Sequence, residues 1–250
     1  MNAPDILPLA AGEIAAGVPE REYRRLLGLP RNRELTGDLA GGAQHARRWY
    51  AVHGRPFVAV RRVEVREVGP ASVTLATGDV LTSVDLADRL RAGEAHALVA
   101  LAASAGLEVA NEAARLWAAG RPDEAYFLDR LAAAITEGLV SQASVRLCRT
   151  YAPRHERLLP HLSPGCSDWD LADQQRLMRL LTGQVQRPGA AAAAESCGPV
   201  TVLASGALHP QHSLLAALGV TRRAVVATRE SSCRRCDLDP CGFRRVPCAR

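Results

Sequence analysis

The chain has no lysine: all 31 basic side chains are arginine, against 26 acidic ones, for a formal charge of +5. That absence excludes a lysine Schiff base and a phosphate-loop lysine. High arginine and alanine without lysine reads first as the signature of a GC-rich bacterial genome. Aromatics are scarce as well. Ten Phe, Trp and Tyr residues in 250, with so modest a charge, offer little for stacking bases, so no nucleic-acid partner is expected. No uninterrupted apolar stretch is long enough to span a bilayer, and no charged-then-apolar segment opens the chain. No membrane partner is therefore expected, and the cytoplasm is the expected compartment. A G-x-S-x-G elbow and a dinucleotide fingerprint are both missing, which leaves serine hydrolase and nicotinamide dehydrogenase chemistry unsupported.

What is present in quantity is apolar side chain, at 48 % of the residues, enough for a substantial buried core. Cysteine is also present, and concentrated. Four of the seven fall in the last eighteen residues: Cys233, Cys236 and Cys241 in a C-x2-C-x4-C spacing, then Cys248. Thiolates gathered this closely, beside Arg234, Arg235, Arg244 and Arg245, suit a metal or an iron–sulfur cluster. Disulfides compete with that reading, and a reducing compartment disfavours them. Three readings stay open for the tail: a redox cluster, a structural zinc with the same four thiolates, or unliganded thiols. Cys248 is the natural fourth ligand, with Cys166 the other candidate. Cys148 and Cys197 read as structural. A site built on His161, His209 and His212 has no helical ligand spacing behind it, so these read as surface or hydrogen-bonded histidines.

Residues 1–20 are rich in Ala, Gly and Pro and are expected as a flexible lead-in, before a domain over 21–229 and a Cys-rich tail over 230–250. Helices are expected over 22–29 and 38–52. The alternation of Val58, Val60, Val63 and Val65 predicts a half-buried strand over 57–68. Two short strands flank Thr77-Gly78-Asp79 as a hairpin. The apolar run 97–103 fits a buried strand or a helix end; a strand is favoured, with a helix over 107–119 after it. Pro122 opens a long helix to about Arg149, with Leu128, Leu131, Ile135, Leu139 and Val145 as its packing stripe. Ser167, Asp168 and Asp170 offer N-caps to a helix ending near Thr182, and short strands are expected over 200–204 and 224–228.

The segment from His161 to Leu177, beginning His161-Leu-Ser-Pro-Gly-Cys166, resembles the R-x-x-P-G-Y signature and following helix of the activation domain of cobalamin-dependent methionine synthase. Ser104-Ala-Gly106 looks like that family's Thr-x-Gly turn at a strand end. Asp129 to Glu137 is similar to its long helix, and Pro210 to Ser213 to its Pro-x-x-Ser turn. The similarity runs from about Glu22 to Arg229 in the same order.

The resemblance implies an α+β fold, a twisted antiparallel sheet with flanking helices. It also implies S-adenosylmethionine as ligand and reductive reactivation of an oxidised corrinoid as the task. The ligand loop would comprise His161, Ser163, Gly165 and Cys166, with Glu137 on the long helix. In this chain His161 stands at the family's carboxylate-gripping arginine and Cys166 at its tyrosine, while Ala133 replaces an acidic residue one turn before Glu137. No D-x-H-x-x-G motif is present, so cobalamin would come on a corrinoid-carrying protein or methyltransferase subunit, or as free cofactor. The alternative expectation is a non-catalytic corrinoid-protein docking module with a zinc-stapled tail.

Overall fold

The fold is built around a strand with no exposed residue: β5, Ala97–Ser104, is buried along its whole length. The computed structural model describes residues 4–30, 33–183 and 195–223. In chain order the strands are β1 (Asp5–Ile6), β2 (Phe57–Val68), β3 (Ser72–Leu75), β4 (Val80–Thr82), β5, β6 (Arg157–Leu158), β7 (Glu195–Cys197), β8 (Val200–Val202), β9 (Leu208–His209) and β10 (Ser213–Thr221). The helices are α1 (Ala11–Gly17), α2 (Glu20–Leu26), α3 (Gly37–His53), α4 (Val84–Ala92), α5 (Leu107–Ala118), α6 (Pro122–Tyr151) and α7 (Asp173–Thr182). The main sheet runs β4-β3-β2-β5-β10-β6, with β1 against β2. Every pairing is antiparallel. A small second sheet runs β7-β8-β9.

Both faces of the main sheet are covered around β5, which is why that strand is apolar from Ala97 to Ala103 instead of alternating. Val58, Val60, Val99, Leu101 and Leu218 pack against Leu128, Leu131, Ile135 and Leu139 of α6 on one face. Ala59, Leu98, Ala100, Ala102, Leu215 and Ala217 meet Leu86 and Leu90 of α4 and Leu177 and Leu181 of α7 on the other. The many alanines let helices approach the sheet closely.

Several expectations are corrected here. Residues 4–20 are not a loose lead-in. β1 pairs Asp5 with Val60, and α1 buries Ile14 and Ala15, with Val18 buried just beyond it. Val145 is 54 % exposed, because the buried stripe of α6 runs on from Leu139 through Ala143 and Leu147 to Tyr151 and position 145 lies off that face. β10, which lies between β5 and the edge strand β6, occupies residues for which the sequence suggests no strand. The strand expected over 224–228 lies outside the described residues.

Candidate functional site

Beyond β6 the chain follows the outer edge of β10 without forming a regular strand. Leu159 N–H donates to the Gly219 carbonyl at 2.8 Å, and Leu162 exchanges bonds of 3.0 and 2.8 Å with Ala217. There it leaves the sheet in a tight turn. Cys166 N–H donates to the Ser163 carbonyl at 3.0 Å, with Pro164 and Gly165 between them and Gly165 at φ +87°. That is type II geometry, in which proline presets the first central residue and only glycine enters the second without strain. Three of the five residues expected from the sequence, Ser163, Gly165 and Cys166, lie in this turn at the sheet edge, and His161 stands two residues before it. Ser163 is buried, Cys166 half-buried, and His161 and Gly165 exposed.

The turn is anchored from behind. Gly165 N–H donates to the Trp169 carbonyl at 2.8 Å. The Asp173 carboxylate accepts from Trp169 Nε1 at 2.8 Å and from Thr82 N–H at 2.9 Å, and pairs with Arg176. Asp168 was expected to cap the helix after it, but it caps α4 instead. Its carboxylate accepts from the Ser83 hydroxyl at 3.0 Å, from Asp85 N–H at 3.1 Å and from Val84 N–H. Asp170 Oδ1 accepts from Ala172 N–H at 2.7 Å, and α7 starts without a side-chain cap. Burial opposes the charge on Asp168, yet the Asp85 and Val84 amides and the Ser83 hydroxyl outweigh it and hold the carboxyl below its ordinary range. Asp168→Ala should therefore cost about 1 kcal/mol at neutral pH, the usual loss of a helix cap. Urea melts of the two proteins should converge as pH falls below the ordinary aspartate range, because a depressed carboxylate loses its contribution on protonation.

Glu137, the fifth expected residue, rides on α6, which covers the face of the sheet opposite Leu162. Its Oε2 lies 3.5 Å from Arg25 Nη2, and that nitrogen is 2.6 Å from Glu22. The structure thus places Glu137 against α2.

At the far end of β10 sits a polar cluster that brings together three segments the sequence named separately: the Ser104-Ala-Gly106 turn, the helix from Asp129 and the Pro210 to Ser213 turn. His212 Nε2 is 2.6 Å from Asp129 Oδ1, and the ring is only 10 % exposed. The His212 carbonyl accepts from Ala105 N–H at 2.9 Å and from the Thr136 hydroxyl at 3.0 Å. Ser213 donates to Ser104 Oγ at 2.9 Å, and Gly106 N–H donates to the same oxygen at 3.1 Å. Asp129 is pushed up by burial and pulled down further by His212 and Arg130, so its carboxyl lies below the ordinary range.

A second network ties the opposite end of α6 to the sheet. Glu156 is 3 % exposed and takes both guanidinium arms of Arg62, at 2.7 and 3.1 Å, with His96 Nε2 at 2.9 Å. The Arg62 hydrogen bonds, against the opposing effect of burial, bring the Glu156 carboxyl down to about 2. Nothing in the spacing of these three residues announces the cluster; only strand register and the end of α6 bring them together.

Among the described residues no group of three or more His, Cys, Asp or Glu side chains is placed to hold a metal. Cys233, Cys236, Cys241 and Cys248 lie outside those residues. No helix among the described residues is long and apolar enough to cross a membrane.

An antiparallel sheet wrapped by helices on both faces, with a Pro-Gly turn leaving its β10 edge, defines an α+β domain with the fold of a methionine synthase reactivation domain. The solved structure described as the MetH reactivation domain bound to AdoHcy matches it with a TM-score of 0.65. That match has 14 % sequence identity and covers 89 % of this chain and 80 % of the other. No family model matches the chain, and neither does any curated protein.

Proposed function

We propose that this protein binds an S-adenosyl ligand at the His161–Cys166 turn and serves the reductive reactivation of a corrinoid carried by a partner methyltransferase. The observation that carries this reading is the turn itself. It sits at the sheet edge in a fold shared with a reactivation domain whose structure holds AdoHcy. The residues present suit such a ligand. Gly165 is exposed, and its missing side chain leaves the turn's main chain open to close approach. His161 and Ser163 offer a ring nitrogen and a hydroxyl for the polar groups of an amino-acid arm. When bound, S-adenosylmethionine supplies its sulfonium methyl group and is left as S-adenosylhomocysteine. This chain's share is to hold and orient that donor against a corrinoid presented by the partner. A single imidazole replaces a guanidinium fork at position 161, so carboxylate binding rests on fewer donors and is weaker than a bidentate pair would give.

The reactivating electron needs its own donor. We assign that part to the cysteine tail, as an iron–sulfur cluster, with a zinc staple as the second possibility. The preparation that tests both is the full chain purified without oxygen. Titration calorimetry with AdoHcy and S-adenosylmethionine should show saturable one-to-one binding, about tenfold weaker in His161→Ala. Heat signals no different from buffer would overturn the ligand assignment. Iron and sulfide in matching amounts, lost in Cys233→Ser and Cys236→Ser, would support the redox tail. Stoichiometric zinc would make it a staple.

A further inference from the structure

The corner where α6 gives way to β6 carries positive charge that its surroundings leave unbalanced. Arg149 lies in the last turn of α6, Arg154 ends the short 3-10 turn after it, and Arg157 opens β6. β6 pairs Arg157 with Thr221 at the end of β10, which brings Arg222 and Arg223 to the same corner. All five are exposed. Arg223 lies 2.8 Å from Glu94, but among the described residues Arg149, Arg154, Arg157 and Arg222 enter no ion pair. The nearby carboxylates are committed. Glu156 is buried against Arg62 and His96, and Glu64 is 3.0 Å from Arg62. Asp5 of β1, which acts electrostatically on Tyr151 together with Arg154, sets a single charge against four.

Gathered like charges repel one another and lower stability, so the fold itself does not account for them. Each guanidinium presents a planar fork of donors that matches carboxylate or phosphate oxygens. Exposed on an open corner, these forks cannot enclose a small anion, and their spread over two elements suits the surface of another macromolecule. Tyr151, the aromatic ring beside them, is buried, so bases would find nothing there to stack on. Carboxylates on a protein surface are the complement that remains.

This corner and the ligand turn share one edge of the sheet. Arg157 is four residues before His161, about 13 Å along an extended chain. A protein that brings a corrinoid to the turn therefore passes over these arginines. Building on the reactivation reading above, we infer that the α6–β6 corner is a docking surface for the corrinoid-carrying partner, which meets it with an acidic patch beside its corrinoid.

The probe is fluorophore-labelled poly-L-glutamate, titrated into the full chain by anisotropy at low and at physiological salt. Changing Arg154→Glu and Arg157→Glu together should weaken binding by about tenfold at low salt, and the difference should shrink as salt rises. Changing Arg21→Glu and Arg48→Glu together alters the net charge equally. Those arginines are exposed on α2 and α3, which both meet α6 at Phe127, about 33 Å of helix from Arg149. That second variant should bind the probe within about twofold of the unaltered protein. Equal losses in the two variants would mean that overall charge alone holds the probe, and would overturn the inference. Duplex DNA or anionic phospholipid vesicles held more tightly than polyglutamate at physiological salt would overturn it as well. AdoHcy titration separates the two claims, since the corner variant should bind AdoHcy as the unaltered protein does. A protein that binds AdoHcy without any corner-dependent hold on polyglutamate keeps the ligand reading and loses the docking surface. One that binds no AdoHcy loses both.

Discussion

Glu156→Ala should destabilise the protein by about 4 kcal/mol, the cost of removing one partner from a buried ion pair and leaving the other charged. For a chain of this size that corresponds to a fall in melting temperature of about 8 to 16 °C. The size follows from the environment. Glu156 is 3 % exposed, takes both arms of Arg62 and also binds His96. Its removal leaves the Arg62 guanidinium, which lies 5.6 Å from the centre of the Tyr151 ring, with the more exposed Glu64 carboxylate at 3.0 Å as its remaining acidic partner. The same network joins β2, the residue before β5 and the chain just after α6, so its loss should loosen three elements together. The pH dependence carries a definite sign. The Glu156 carboxyl is lowered from 4.5 to about 2 in the folded protein. Its contribution is therefore complete above the unfolded value and is lost as pH falls toward the folded one. Denaturant melts between pH 7 and pH 2 should show the unaltered protein losing stability through that window, and Glu156→Ala losing much less. Equal acid limbs in the two proteins would show that the pair contributes nothing.

Gly106→Ala is expected to cost about 3 kcal/mol or more. Gly106 has φ +101° and ψ 158°, a region open essentially to glycine alone. The added methyl would also lie 2.7 Å from the Arg55 carbonyl oxygen, a backbone atom that has no rotamer by which to withdraw. The strain would fall where β5 hands over to α5, next to the Ser104, Ser213 and His212 cluster. A thermal melt gives the stability loss. A melting temperature within a degree or two of the unaltered protein would contradict the close approach.

The parts of the fold legible in the sequence are those with strong local signals. The valine alternation matched β2 over its full length, Pro122 marked the start of α6, and Thr77-Gly78-Asp79 marked the β3–β4 hairpin. β10 was not legible. Ser-Leu-Leu-Ala-Ala-Leu-Gly-Val-Thr has helix-forming residues and no alternation, because the strand is covered on both faces and is held by β5 and the 157–162 edge. α4 was missed as well; its N-cap partner, Asp168, stands far along the chain. α1 and β1 escaped notice because Ala-Gly-rich residues gain their order from packing on α3 and pairing with β2.

By itself the sequence determined the turn at Ser163–Cys166, since proline followed by glycine has few backbone choices. It also determined the absence of lysine chemistry, the long central helix and the cysteine spacing of the tail. Tertiary structure alone decided which residues stand around that turn. Asp168 went to α4, Glu137 to α2, and His212 was turned onto Asp129, because long-range contacts depend on strand register and on which helix covers which face. Those are set by burying the whole of a two-faced sheet at once, and no local run of residues encodes that.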